Sequence, residues 1–89
     1  MNNHVVGLQI TCANRDISGC ILRLGGEGWT FSLYEVIVKL TSQQLRFNIL
    51  VEGQFLDVGI RGNGFSAYLV TEPDGLPLQN LMSLPSCRA

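Results

Sequence analysis

Apolar and polar residues alternate over positions 4–13, where Val6, Leu8, Ile10 and Cys12 share one parity. A period of two predicts a strand with one buried face. The turn formers Asn14, Asp16, Ser18 and Gly19 follow, and a second strand is expected over 20–24. Paired as a hairpin with Cys12 opposite Cys20, the two strands set Ile10 against Leu22 and Leu8 against Leu24. That register collects the apolar pairs on one face.

The period then lengthens. Gly25, Gly26 and Gly28 lead to Trp29, and Ser32 with Glu35 three residues later forms a capping box, each side chain within reach of the other's backbone N–H. Phe31 and Val36 flank that cap as a hydrophobic staple. Leu33, Val36, Ile37 and Leu40 recur at helical spacing and predict a helix running to about residue 43.

Alternation resumes over 45–51 and 55–61, around a turn centred on Gly53-Gln54. It returns over 65–71 after Asn63-Gly64, the strongest short hairpin signal. Two-residue loops then set Val51 against Leu56, Ile49 against Val58 and Phe47 against Ile60. In the second hairpin they set Ile60 against Ala67 and Val58 against Leu69. All of these share one face. On the other, Gly59 lies opposite Tyr68, where an aromatic ring can cover a bare strand position. Residues 71–75 read as a turn, and 78–84 as a short helical turn stopped by Pro85. Leu78, Leu81, Met82 and Leu84 are expected to seal one end of the core. The order is β-β-α-β-β-β with a short C-terminal helical turn, an α+β fold with one helix against an antiparallel sheet.

The chain has 89 residues, 46% of them apolar and 15% charged, which fits one small globular domain over 1–89 and excludes a disordered chain. The net charge is −1 and no basic stripe stands out, so nucleic acid is not an expected partner. No apolar run approaches the ~20 residues of a membrane span, and no basic stretch followed by an apolar one marks a secretory leader. Cytoplasmic residence is the expectation. Three cysteines, an odd number, cannot close a complete disulfide framework and fit a reducing compartment.

Several segments resemble a bacterial family catalogued as domain of unknown function 3892. They are Ile10-Thr11-Cys12, Gly25-Gly26 with Gly28-Trp29, and Tyr68-Leu69-Val70-Thr71 with Asp74-Gly75. The tail Asn80-Leu81-Met82-Ser83-Leu84-Pro85-Ser86-Cys87 is the strongest of them. The likeness spans nearly the whole chain and departs at Val70, where the family pattern places a basic residue. It implies a compact bacterial domain and supplies no mechanism.

Chemistry-bearing residues are few. Cys12, Cys20 and Cys87, with His4, could surround a metal ion, but the Cys-x-x-Cys knuckle usual in small zinc sites is missing. Packing as small apolar thiols is expected, with a cross-strand disulfide or redox pair as the alternative. The glycine cluster lacks the Gly-Lys-Ser/Thr of a phosphate loop and the third glycine of a dinucleotide fingerprint, so a structural turn is expected. Asp57 and Asp74 lie on different elements, and no Ser or Cys has a fixed base nearby in sequence. No enzyme activity and no cofactor are expected; a thiol- or metal-dependent enzyme is the least favoured reading. Trp29 is expected to be buried beside the helix.

The register singles out one surface. On the outer sheet face Arg46 falls opposite Arg61, which falls opposite Ser66. The rows beyond are Asn48-Gly59-Tyr68 and Leu50-Asp57-Val70. Like charges facing each other across strands are destabilising, so an anionic group or acidic partner is expected to bind Arg46, Arg61 and Ser66, with Tyr68 alongside. The reading that follows is a non-enzymatic interaction module for another protein or a small anionic ligand. Its alternative is a homodimer formed through that face or a free edge strand.

Overall fold

The computed structural model describes residues 6–72, 74–78 and 84–87, with the backbone alone at Phe65. Strands β1 (Val6–Ile10), β2 (Cys12–Arg15), β3 (Ile21–Gly26) and β4 (Trp29–Ser32) precede helix α1 (Leu33–Thr41). Strands β5 (Leu45–Val51), β6 (Gln54–Arg61), β7 (Tyr68–Thr71) and β8 (Leu76–Pro77) follow it. The fold is α+β, as the sequence predicts, but the strands divide into two sheets. One has the order β1-β5-β6-β7-β8 and the other β2-β3-β4.

The first expected strand is two strands. Val6–Ile10 runs parallel to β5, with Ile10 beside Ile49, whereas Cys12–Arg15 runs antiparallel to β3. The change of partner falls at Thr11, whose N–H donates to the Gly25 carbonyl at 2.9 Å. The inward phase changes there too, from Ile10 to Ala13. The expected hairpin with Cys12 opposite Cys20 is therefore corrected: Cys12 faces Gly25, Ala13 faces Leu24 and Asn14 faces Arg23. The loop is closed by Asp16, whose backbone N–H donates to the Cys20 carbonyl and whose carboxylate accepts from the Ser18 and Cys20 N–H groups. A bulge then sets Arg15 against Ile21, leaving Leu22 without a partner and about half exposed.

Trp29 begins strand β4, which the sequence does not predict ahead of the Ser32 cap. Its ring lies 5.3 Å from Phe31 and 5.4 Å from Phe47, and Phe31 meets Phe47 edge-on at 6.4 Å. Such geometries add about 1 kcal/mol each beyond the area they bury. The capping box forms as expected. Ser32 Oγ accepts from the Glu35 N–H at 3.1 Å, and the Glu35 carboxylate accepts from the Ser32 N–H at 2.8 Å. The Ser32 backbone bond, then its side-chain bond, hold the Glu35 carboxyl below its ordinary pKa. The helix ends at Thr41, short of residue 43, and Gln43 takes a left-handed backbone with φ 60°.

Both later hairpins differ from the expected register by two residues. Glu52 and Gly53 have φ of 50° and 81°, so they form the two-residue turn, and Val51 faces Gln54 while Asn48 faces Asp57. After β6, Asn63-Gly64 is not a two-residue turn. A 3-10 turn at Gly64–Ser66 lengthens the connection, and β7 starts at Tyr68 rather than residue 65. Arg61 then faces Tyr68, Gly59 faces Val70 and Val58 faces Thr71. A shift of two keeps every side chain on its face, so the core survives the error. Phe47, Ile49, Val58 and Leu69 point inward against Val36 of α1 and against Ala13, Ile21 and Leu24 of the smaller sheet. Leu78 is buried and Leu84 packs on the same core, in keeping with the tail's expected role. Leu81, Met82 and most of the expected helical turn lie outside the described residues, as does His4.

Candidate functional site

The outer face of the larger sheet was expected to oppose two arginines. The observed register separates them. Arg46 reaches its neighbour on β6, with Nη2 3.4 Å from Asp57 Oδ2. Arg61 Nη2 lies 2.7 Å from Glu72 Oε1, an ion pair without an aligned hydrogen bond, and its Nη1 donates to the Ile60 carbonyl at 3.2 Å. Ser66 is not on the sheet. Its hydroxyl donates to the Asn63 carbonyl at 2.8 Å and closes the 3-10 turn. Tyr68, expected opposite Gly59, instead lies directly opposite Arg61 and is 45% exposed.

The expected Arg46–Arg61–Ser66 row is therefore corrected, and the repulsion that motivated an anion there is gone: each guanidinium has a carboxylate beside it. Two further positions change. A Cβ on Gly59 would lie 3.0 Å from Glu72 Cγ, so the bare position is covered by the glutamate crossing toward Arg61, not by Tyr68. Val70, expected on the open face, is fully buried. Besides Tyr68, this face exposes Leu50 and Phe55, directly opposite each other on β5 and β6 and 46% and 66% accessible.

The cysteines do not gather around a metal ion. Cys12 and Cys87 form a disulfide across 75 residues of sequence, while Cys20 is free and exposed. Neither bonded sulfur is the lone core thiol expected, and no group of three metal-ligating side chains occurs among the described residues. The tail is fixed beside β2 in register with the bond. The Ala13 N–H donates to the Pro85 carbonyl at 2.9 Å, and the Cys87 N–H donates to Asn14 Oδ1 at 2.7 Å. Ile10-Thr11-Cys12 and Leu84-Pro85-Ser86-Cys87 thus meet in space.

The glycine cluster has the structural role expected of it. A Cβ on Gly25 would lie 2.8 Å from Thr30 Cγ2 and 2.9 Å from Cys12 Sγ, so the bare residue makes room for the disulfide. A Cβ on Gly26 would strike the Gln9 carbonyl oxygen and lie 2.5 Å from Trp29 Nε1. Sequence reasoning missed the tail's attachment to β2. The only signal for it was a cysteine near each end of the chain, Cys12 and Cys87. No helix among the described residues is long and apolar enough to cross a membrane. Comparison of the chain with protein-family models, with curated proteins and with solved structures finds no match.

Proposed function

We propose that this chain is a non-enzymatic interaction module whose contact surface is the outer face of the larger sheet, and that the surface it fits is a second copy of itself. The observation that carries this reading is the exposed Leu50–Phe55 pair, two large apolar side chains facing each other on a sheet where the inner face already holds the core. Exposed apolar groups that touch each other are a stronger interface signal than scattered ones.

Charge favours a protein surface over a free anion. Arg46 and Arg61 are each beside a carboxylate, so this face presents two cations and two anions and attracts neither sign alone. Such a pattern is self-complementary under a two-fold axis, where each arginine can reach the partner's acid as readily as its own. A net charge of −1 gives little repulsion between copies. Five strands ~4.8 Å apart and up to ~23 Å long form a face of several hundred Å². That approaches the ~800 Å² per partner that a standard interface buries.

Light scattering on the eluting protein tests this from about 1 μM to 1 mM, a span that covers association free energies of roughly −8 to −4 kcal/mol. A dimer that Phe55→Asp converts to monomer, with the melting temperature retained, supports the reading. A wild-type chain that stays monomeric throughout overturns it, and so does a dimer indifferent to Phe55→Asp.

A further inference from the structure

The outer face of the smaller sheet holds a second site of a different kind. Two rows cross it, Asn14-Arg23-Ser32 and Cys12-Gly25-Thr30. The disulfide-tied tail rises along one side, and the β3–β4 turn closes one end. Between them lies an open groove of about 660 Å³ lined by Asn14, Arg23, Thr30, Trp29 and Cys87 over the bare Gly26 and Gly28. That volume is in the range of small-molecule sites.

Arg23 distinguishes this groove. It sits on the central strand, half-buried, and makes no hydrogen bond or ion pair among the described residues, whereas Arg46 and Arg61 each have a carboxylate. The Arg23 charge is felt by Glu35, whose carboxylate is engaged at the helix cap by Ser32. A partly desolvated guanidinium without a partner is costly unless something fills its donor fork, and the group that matches the fork is a carboxylate or phosphate. The other polar groups agree in sign. Asn14 Oδ1 is taken by the Cys87 N–H, so its amide offers donors, and Thr30 adds a hydroxyl. Trp29 borders the groove beside Gly26, with its ring packed on Phe31 and Phe47.

We propose that this groove binds a small oxyanion, a carboxylate or phosphate, with Arg23 holding the charged group. The site is separate from the outer face of the larger sheet and does not depend on dimer formation.

Trp29 is the chain's single tryptophan, so its emission reports directly on the groove. Titration of the whole protein with benzoate and with phenyl phosphate tests the two oxyanions, and benzyl alcohol tests the ring without the charge. The expected result is a saturable emission change with at least one oxyanion and none with the alcohol. Arg23→Gln weakens that binding about tenfold or more, the scale of a lost charge-assisted bidentate contact. Thr30→Val weakens it less, and Arg46→Gln leaves it unchanged. A larger response to the phosphate than to the carboxylate, or the reverse, names the headgroup. Equal response to benzyl alcohol, no saturable response to either oxyanion, or undiminished binding by a folded Arg23→Gln protein overturns the proposal. Should Arg23→Gln fail to fold, weaker binding in Thr30→Val than in Arg46→Gln carries the decision, and their equality overturns it.

Discussion

Gly26 and Gly28 are two residues apart and glycine for opposite reasons. At Gly26 the obstacle is space, since a methyl group would collide with the Gln9 backbone carbonyl and the Trp29 indole. Backbone cannot step aside as a side-chain tip can, so β1 or β4 would have to move. At Gly28 there is open space and a φ of 81°, so a substitution meets only the left-handed strain of roughly 1–2 kcal/mol. Gly26→Ala is therefore expected to cost about 3 kcal/mol or more, in the range of overpacked sites, and Gly28→Ala clearly less. Urea unfolding of the two variants measures the difference, and equal losses would mean that the close approach at Gly26 relaxes freely. The sequence marks both positions as special but carries no sign of which constraint applies. Arginine pairing is similar. Arg46 and Arg61 are visible as charges, while Asp57 and Glu72 become their partners only through the register.

At the scale of elements, local chemistry was the readable part. The Ser32–Glu35 cap forms between residues three apart, so no tertiary information is needed to find it. The hairpins needed one backbone angle that composition hides. Residues 53 and 54 look like the turn because Gly-Gln offers a glycine first, yet Glu52 accepts φ 50° and the turn sits one residue earlier. Moving the turn by one residue moves the pairing by two. Faces are preserved and every neighbour changes, which is why the core was legible and the arginine row was not. Parallel pairing of β1 with β5 was hidden for a related reason: apolar alternation states which face is buried and nothing about which strand lies alongside. The Glu52 conformation also offers a test. Replacing it with asparagine gives Asn-Gly, the pair that best tolerates two positive φ values. Glu52→Asn should raise stability by about 0.5–1 kcal/mol, the part of the left-handed strain of roughly 1–2 kcal/mol that asparagine avoids. Thermal melting of the variant checks this, and a lower melting temperature would place the turn elsewhere.

For the whole molecule, the decisive contact is the longest in sequence. The chain's odd cysteine count suggested reduced thiols, but an odd number excludes only complete pairing, and one bond with one free Cys20 satisfies it. Cys12 and Cys87 tie the end of the chain to β2, closing a loop that contains most of both sheets. Closing 75 residues removes unfolded-state entropy worth about 4 kcal/mol. A chain this small has a total stability of roughly 5–10 kcal/mol, so the bond accounts for a large share of it. The folded contacts around it are modest by comparison: one backbone hydrogen bond, one from the Cys87 N–H to the Asn14 side chain, and the packing of Leu84. Cys87→Ser, or full reduction of the wild type, should lower the melting temperature by about 15 °C or more. Cys20→Ser should leave it nearly unchanged, since that thiol is exposed and unbonded. Reduction and Cys87→Ser should also agree with each other, because both open the same loop. Melting curves with and without reductant decide the matter: a shift of only a few degrees would mean that the tail's hydrogen bonds and Leu84, rather than the cross-link, hold the terminus on β2.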